Sequence, residues 1–304
     1  MYVTTIKPKS INHLRESFLV KFLGEGTHGT IELYQCKQIS NKGFCDKLFV
    51  VKRIKYETDF LGLKIKPKEK EIDRFYKEYE IGMMLHHPNI RRTLDIDVNF
   101  ETIILENCEG IDLLDYLNEY NHSDHPETPF GSLIKLFGQL IDAVDYLHTN
   151  NIVHLDIKLE NIMINPKNKI IKLIDLGEAM LVEENQLVYG LKGTEQYMAP
   201  EILRLYDFDP KRADLWCCGI VLYNLYYNRM PWNFAKLDNI HYKNHFNSIK
   251  NGILIEYIFP INTNYDGINE TIIKKLLLML LNVHPEKRKN SSMIKNYYSL
   301  LFKM

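Results

Sequence analysis

Apolar and polar positions repeat at two different periods along this chain. From residue 17 to residue 54 the repeat is short. "SFLVKFLG" (17–24), "GTIELYQC" (29–36) and "KLFVVKRI" (47–54) are rich in β-branched and aromatic residues, which predicts three strands, the first two joined by a glycine-rich turn. In "PKEKEIDRFYKEYEIGMML" (67–85) the apolar residues fall at 72, 75, 76, 79 and 83. That is helical spacing, and Pro67 with the acids after it marks the start. "LDIDVNF" and "ETIILENC" follow as two short strands. Beyond about residue 110 the spacing is helical. "SLIKLFGQLIDAVDYLHTN" (132–150) carries a broad apolar face, and further helices are expected over 214–227 and 268–282. A strand-rich lobe should therefore precede a helix-rich one, with the switch near "ENCEGID" (106–112) and no linker long enough to separate independent domains. A cleft between two such lobes is the default place for a ligand.

Composition narrows the classes. The chain has 304 residues, 45% hydrophobic and 25% charged, which is ordinary for a globular protein with a core. A formal net charge of −1 gives no field pointing to nucleic acid or an anionic membrane. The basic run "KIKPKEKE" (64–71) is interrupted by Glu69 and Glu71, and reads as a solvated loop rather than a contact patch. Five cysteines, at 36, 45, 108, 217 and 218, form no CxxC pair, so neither a disulfide framework nor a zinc site is expected. "MYVTTIKPKS" lacks the apolar core of a signal peptide. The longest apolar run, 215–227, has 13 residues including an Asn. A membrane span needs about 20 residues, so this run is expected to be a buried helix. These features predict a monomer in the cytoplasm, with the nucleus as the alternative.

Three segments carry chemistry. "LGEGTHGTI" (23–31) sets Gly24, Gly26 and Gly29 in a turn between strands, where backbone N–H groups can drape over phosphates. Lys52 sits in the middle of the apolar strand "VVKRI", where an unpaired ammonium would be costly and an anion is needed. "IVHLDIKLENIMI" (152–164) places His154, Asp156, Lys158 and Asn161 among Ile, Val, Leu and Met, as in a loop held between two short strands. Asp156 can accept a proton from a hydroxyl nucleophile, and Lys158 can neutralise a moving phosphoryl group. Asn161, with Asp175 in "KLIDLGEA" fourteen residues on, offers oxygen ligands suited to Mg²⁺ once phosphate oxygens complete the set.

The order of these segments, followed by "YMAPE" (197–201), resembles the eukaryotic protein kinases over roughly residues 14–302. The resemblance implies an α+β, bilobal protein-kinase fold, with a small β-rich N lobe carrying one main helix and a larger helical C lobe. It implies a single catalytic domain over 14–304, with the N lobe at about 14–107 and the C lobe at about 108–304. Asp156, Lys158, Lys52 and Glu78 would be catalytic. Glu80 is a competitor for the place of Glu78, which lies nine residues before the His of "HPN". Gly24, Glu25, Gly26, Gly29, Ile31, Lys52, Glu106, Cys108, Asp112 and Met163 would hold ATP, with Leu105 as gatekeeper, and Asn161 and Asp175 would hold Mg²⁺. Asp214 resembles the buried anchor of the catalytic loop, and Glu201 with Arg288 a structural ion pair. Lys158 and Thr194 follow the serine/threonine pattern, so the implied partner is a protein with a Ser or Thr acceptor. Asp112 and Glu160 imply a basic residue at −3, and Asn224 implies weak selection at −2. A weaker similarity, carried by "EIGMMLHHPNIRRTLDI" and "RMPWNFA", is to fungal kinases that regulate nutrient permeases and ion transport. The alternatives are a pseudokinase acting as a nucleotide-binding scaffold and, behind it, a small-molecule kinase, which would lack a "YMAPE" segment.

Four departures qualify the resemblance. Leu155 stands where many kinases carry an arginine that receives an activation-segment phosphate. Between Glu178 and Gly193 there is no Ser or Thr, and only Tyr189 could be modified, so the segment is expected to be pre-ordered by its own contacts, with Glu183 or Glu184 as fixed anions. Leu176 replaces a phenylalanine, and His28 takes the glycine-loop tip. Gly82 falls four residues after Glu78, where a large side chain is usual. The expectation is a loosened helix, or a gap filled by Met83 or Met84.

Overall fold

The computed structural model describes residues 17–26, 29–36, 39–40, 43–44, 47–58, 60, 63–98, 101–121, 130–251 and 267–302. His28, Cys45 and the N-terminal segment lie outside the described residues. The chain divides after Cys108 into two compact units.

The first unit is an antiparallel sheet and a helix. Strands β1 (Ser17–Gly26), β2 (Gly29–Cys36), β3 (Leu48–Ile54), β4 (Thr93–Asp97) and β5 (Thr102–Glu106) pair in the order β1-β2-β3-β5-β4. Side chains on a strand alternate between faces. In β3, Phe49 and Val51 pack on one side with Cys36 and Ile104. Val50 and Ile54 pack on the other, with Phe75 and Tyr79 of helix α1 (Glu69–Met84) and with Ile96, Ile103 and Leu105. Lys52 has the parity of Val50 and Ile54, so the alternation aims its ammonium at α1. On that helix Phe75, Glu78 and Tyr79 share one stripe by their three- and four-residue spacing, and all three are buried.

Gly82 has a different explanation from either one expected. A Cβ at this position would stand 1.9 Å from Oγ1 of Thr93 and 2.8 Å from its Cβ. Helix α1 therefore lies against β4 at a distance only glycine allows, and the buried Thr93 occupies the space. Met83 and Met84 do not fill it, being 40% and 55% exposed.

The second unit is mostly helical. It contains β6 (Ile111–Asp112), α2 (Leu113–Asn121), α3 (Phe130–Thr149), β7 (Ile152–Val153), β8 (Ile162–Asn165), β9 (Ile170–Leu173) and β10 (Met180–Leu181). After these come α4 (Pro200–Leu203), α5 (Pro210–Tyr227), α6 (Ile240–Asn251), α7 (Gly267–Leu280) and α8 (Ser291–Phe302). The strands form a three-stranded sheet, β6-β8-β9, and a separate β7–β10 pair. Helix α5 is buried from Ala213 through Tyr226, as its apolar run requires, and packs against α3 and α7. It begins five residues before the apolar run, because Asp209 caps it by accepting from the backbone N–H groups of Lys211 and Arg212 at 2.9 and 3.2 Å. Among the described residues no helix is long and apolar enough to cross a membrane.

Candidate active site

In the first unit, Lys52 Nζ lies 2.7 Å from both carboxylate oxygens of Glu78, and each side chain is 4% exposed. Two buried charges satisfy each other here, and removing either would leave the other uncompensated. Glu80 is exposed, so the choice between the two glutamates falls to Glu78. The glycine-rich residues lie on the β1–β2 hairpin, where Gly24 pairs with Ile31, Glu25 with Thr30 and Gly26 with Gly29. Ile31 in turn faces Lys52 across β2 and β3. Glu25 meets Lys55 at 2.7 Å, an exposed pair worth little. Leu105 is buried, Glu106 accepts from the backbone N–H of Arg92 at 3.1 Å, and Cys108 is half-buried and in no disulfide.

In the second unit the chemistry-bearing loop hangs on one buried carboxylate. Asp214, at the start of the buried part of α5, accepts from the backbone N–H groups of His154 at 2.9 Å and Leu155 at 2.8 Å. It also accepts from Nε2 of His148, in the last turn of α3, at 3.0 Å. His148 was not anticipated; its only signal is a polar residue ending an apolar helix. His154 is fully buried and satisfied, with Nε2 directed to the carbonyl of Ile174 at 3.1 Å and Nδ1 accepting from Asp156 N at 3.3 Å. Leu155 turns the chain at φ 62° and is 3% exposed, so this position faces core rather than anion.

That turn presents Asp156 to a ring of donors. Its Oδ1 accepts from Oγ1 of Thr194 at 2.8 Å, and its Oδ2 from the Asn161 amide at 2.9 Å. Lys158 Nζ stands 2.9 Å from the same Oδ2 and 2.7 Å from Thr194 Oγ1. The Asn161 amide nitrogen also donates to the carbonyl of Asp156 at 2.8 Å, which leaves its oxygen as the group available to a cation. Asp175 follows β9 at φ 61°, with Oδ1 accepting from Gly177 N at 3.4 Å. Gly193, unremarked in the sequence, lets two segments meet: a Cβ there would lie 2.3 Å from the carbonyl oxygen of Leu155.

Neighbouring groups hold this arrangement. Tyr197 is buried, and its hydroxyl accepts from Leu159 N at 3.5 Å and donates to Glu160 at 3.3 Å. Burial, with the Glu160 carboxylate adding to it, pushes the phenol far up, so it remains a donor. Cys217 of α5 donates to the Tyr197 carbonyl at 3.2 Å, and burial pushes its thiol up. Asp112 pairs with Met163 across β6 and β8 and accepts from Asp115 N at 2.9 Å, capping α2. Burial raises its carboxyl above the usual range, and the helix N–H bonds oppose the shift. Glu201 and Arg288 form a buried two-pronged pair at 2.5 and 2.7 Å.

A five-stranded antiparallel sheet whose strand lysine is held by a helix glutamate, and a helical unit carrying an aspartate, lysine and asparagine on one anchored loop, define the kinase class of α+β proteins. Residues 18–298 match the protein kinase domain, and the chain belongs to that family. It is similar to a probable serine/threonine-protein kinase of Dictyostelium discoideum, 29% identical over 91% of this chain and 30% of that protein. It is also similar to two proteins of Saccharomyces cerevisiae. One is the serine/threonine-protein kinase HAL4/SAT4, 29% identical over 90% of this chain and 44% of that protein. The other is the nitrogen permease reactivator protein, 32% identical over 73% of this chain and 26% of that protein. The chain thus spans less than half the length of these relatives, and the resemblance to fungal kinases read from its sequence is borne out.

Proposed function

We propose that residues 14–304 form one catalytic domain that transfers the γ-phosphoryl group of ATP to Ser or Thr hydroxyls of proteins, with Mg²⁺ as cofactor. The observation that supports it most is the bonding of Asp156, Lys158, Asn161 and Thr194 into one set. Bound Mg²⁺ would draw charge from the phosphate oxygens, with Asn161 and Asp175 as its protein ligands. Lys52, oriented by Glu78, holds the phosphates. Asp156 accepts the proton of the attacking hydroxyl at a carboxylate oxygen, and Lys158 stabilises charge on the moving group. The hairpin residues Gly24, Glu25, Gly26, Gly29 and Ile31, with Glu106, Cys108, Asp112 and Met163, bind the nucleotide.

Glu160 is exposed and, among the described residues, engaged only by Tyr197, which suits it to reading a basic side chain at −3 of the acceptor peptide. Asn224 is 8% exposed and donates to the Met230 sulfur, which supports weak selection at −2. An arrayed Ser/Thr peptide library with radiolabelled Mg·ATP tests both levels. Transfer with Arg or Lys favoured at −3 is the expected result. Acidic or proline-directed preference refutes the specificity, and nucleotide binding without transfer to any peptide establishes the pseudokinase alternative.

The domain is of the type that does without an activation-segment phosphate. Leu155 cannot receive one, and the segment has other supports. β10 pairs with β7, Val188 and Phe208 exchange backbone bonds at 2.9 Å, and Lys192 meets Glu178 at 3.4 Å. Glu178 is thus the paired anion of the segment; Glu183 and Glu184 are exposed. Protein expressed in bacteria should keep its rate through phosphatase treatment. A loss beyond about tenfold, roughly 1.4 kcal/mol in barrier, would show control by a phosphate.

A further inference from the structure

The second unit has a cavity that the phosphoryl-transfer residues do not line. Its volume is about 360 Å³, and segments distant in sequence form it: the turn after β10, the start of α5 and the start of α8, with His148 of α3 in the wall. The turn supplies Glu183 and Glu184, the two acids expected from the sequence to act as fixed anions of their segment. Among the described residues, neither carboxylate has an ion-pair or hydrogen-bond partner. The turn closes without them, through the backbone N–H of Glu183 donating to the Gln186 side chain at 2.8 Å.

The α8 wall lacks partners of the opposite kind. Asn290 caps the helix by accepting from Met293 N at 2.9 Å on its side chain and from Ile294 N at 3.1 Å on its carbonyl, and Ser292 Oγ donates to Asp145 at 2.8 Å. Ser291, the first residue of the helix, has no carbonyl behind it to receive its N–H. Among the described residues its hydroxyl has no partner either, although Ser291 is only 4% exposed and lines the cavity. A buried polar group left unpaired costs free energy, which points to an acceptor atom on an occupant. The positive end of α8 favours an anionic one. The other charges of the lining are engaged. Asp209 caps α5, Lys211 donates to Asn151 at 2.8 Å, and Arg212 donates to the Arg288 carbonyl and lies 3.7 Å from Asp209.

An occupant that satisfies both walls carries a cation for two carboxylates and a carboxylate for the helix end. Among the described residues no three His, Cys, Asp or Glu side chains are placed to hold a metal ion, so the cation is organic. A guanidinium offers five N–H donors in a planar fork that matches carboxylates. We propose that this cavity binds an arginine with a free carboxylate, its guanidinium at Glu183 and Glu184 and its carboxylate at Ser291. His148, whose Nε2 lies 3.0 Å from Asp214, puts the occupant one side chain away from the anchor of the Asp156 loop.

The test is calorimetry on the whole chain with three probes: L-arginine, agmatine, which lacks the carboxylate, and L-citrulline, whose side chain ends in a neutral urea group. L-Arginine should bind at least about tenfold more tightly than either of the others. Glu183→Gln/Glu184→Gln should lose about tenfold for L-arginine and bind L-citrulline as before. Ser291→Ala should lose about threefold or more for L-arginine and bind agmatine as before. Both variants should keep their affinity for Mg·ATP. The tripeptide Ala-Ala-Arg separates two sources of the same chemistry. Tighter binding than L-arginine assigns the site to the C-terminus of a protein chain, and equal or weaker binding assigns it to the free amino acid. Agmatine or L-citrulline matching L-arginine, an unchanged double variant, or no binding of L-arginine and the tripeptide overturns the site. Binding is read without catalysis, so a chain that transfers no phosphate can still pass or fail.

Discussion

Asp156→Ala should lower phosphoryl transfer by about 10²–10⁴-fold while leaving ATP affinity within about twofold, since a positioned general base contributes on that scale. The asymmetry follows from where Asp156 is bonded. Its oxygens face Thr194, Lys158 and the Asn161 amide, all in its own unit, and none of the three is among the residues proposed to bind the nucleotide. Alanine leaves three donors without their acceptor, so part of the loss could come from a shifted loop. Asp156→Asn keeps the size and removes the proton acceptor, and it should fall to a similar rate. The comparison is steady-state transfer to a peptide beside calorimetric ATP binding. A variant that retains more than about a tenth of the wild-type rate would remove Asp156 from the reaction.

The second large effect is on stability. Arg288→Ala should cost about 3–5 kcal/mol, because it leaves the Glu201 carboxylate buried without its partner. Arg288 is 1% exposed, and Glu201 takes only part of its bonding capacity. Its Nε donates to the Asn282 carbonyl at 2.7 Å, Nη1 donates to the Arg212 carbonyl at 3.1 Å, and the guanidinium carbon lies 4.8 Å from the Trp216 ring centre. Replacing both charges, in Glu201→Met/Arg288→Met, should cost less than Arg288→Ala alone, since paired removal avoids the stranded charge. Urea unfolding of the three proteins decides. A loss below about 1 kcal/mol for Arg288→Ala would mean that water reaches Glu201 and that the pair is not what secures α4.

Much of this was legible because burial and period agree. The β2, β3, α1, α3, α5 and α7 segments carry aliphatic or aromatic residues at the spacing of their element, whereas in β1 Phe18, Leu19, Val20, Phe22 and Leu23 are exposed. Helix α6 does not. Its buried side chains are Tyr242, His245 and Ser248; the first two join Trp216 and Trp232 in an aromatic cluster, and no aliphatic stripe is left to read. Helices α2 and α8 were not anticipated either. The site motifs stood out as polar residues in apolar surroundings: Lys52 in β3, Asp156 and Asn161 between β7 and β8. What the pattern does not carry is close approach. Gly82 reads as a packing defect until Thr93 is set beside it, and Gly193 reads as loop until the carbonyl of Leu155 is. Both contacts join segments whose spacing in the sequence says nothing of their spacing in space.

The carboxylate of Asp214 has a further consequence. It gathers the end of α3, two peptide N–H groups of the Asp156 loop and the buried start of α5 onto two oxygen atoms, with no part of it exposed. Small loops on a surface fray early when a protein is warmed, well below the temperature at which its interior melts. This loop has no such freedom, because its anchor belongs to the interior. On heating, the alignment of Asp156 should persist until the helical core itself gives way, so that loss of activity in this unit and loss of its structure come as a single event.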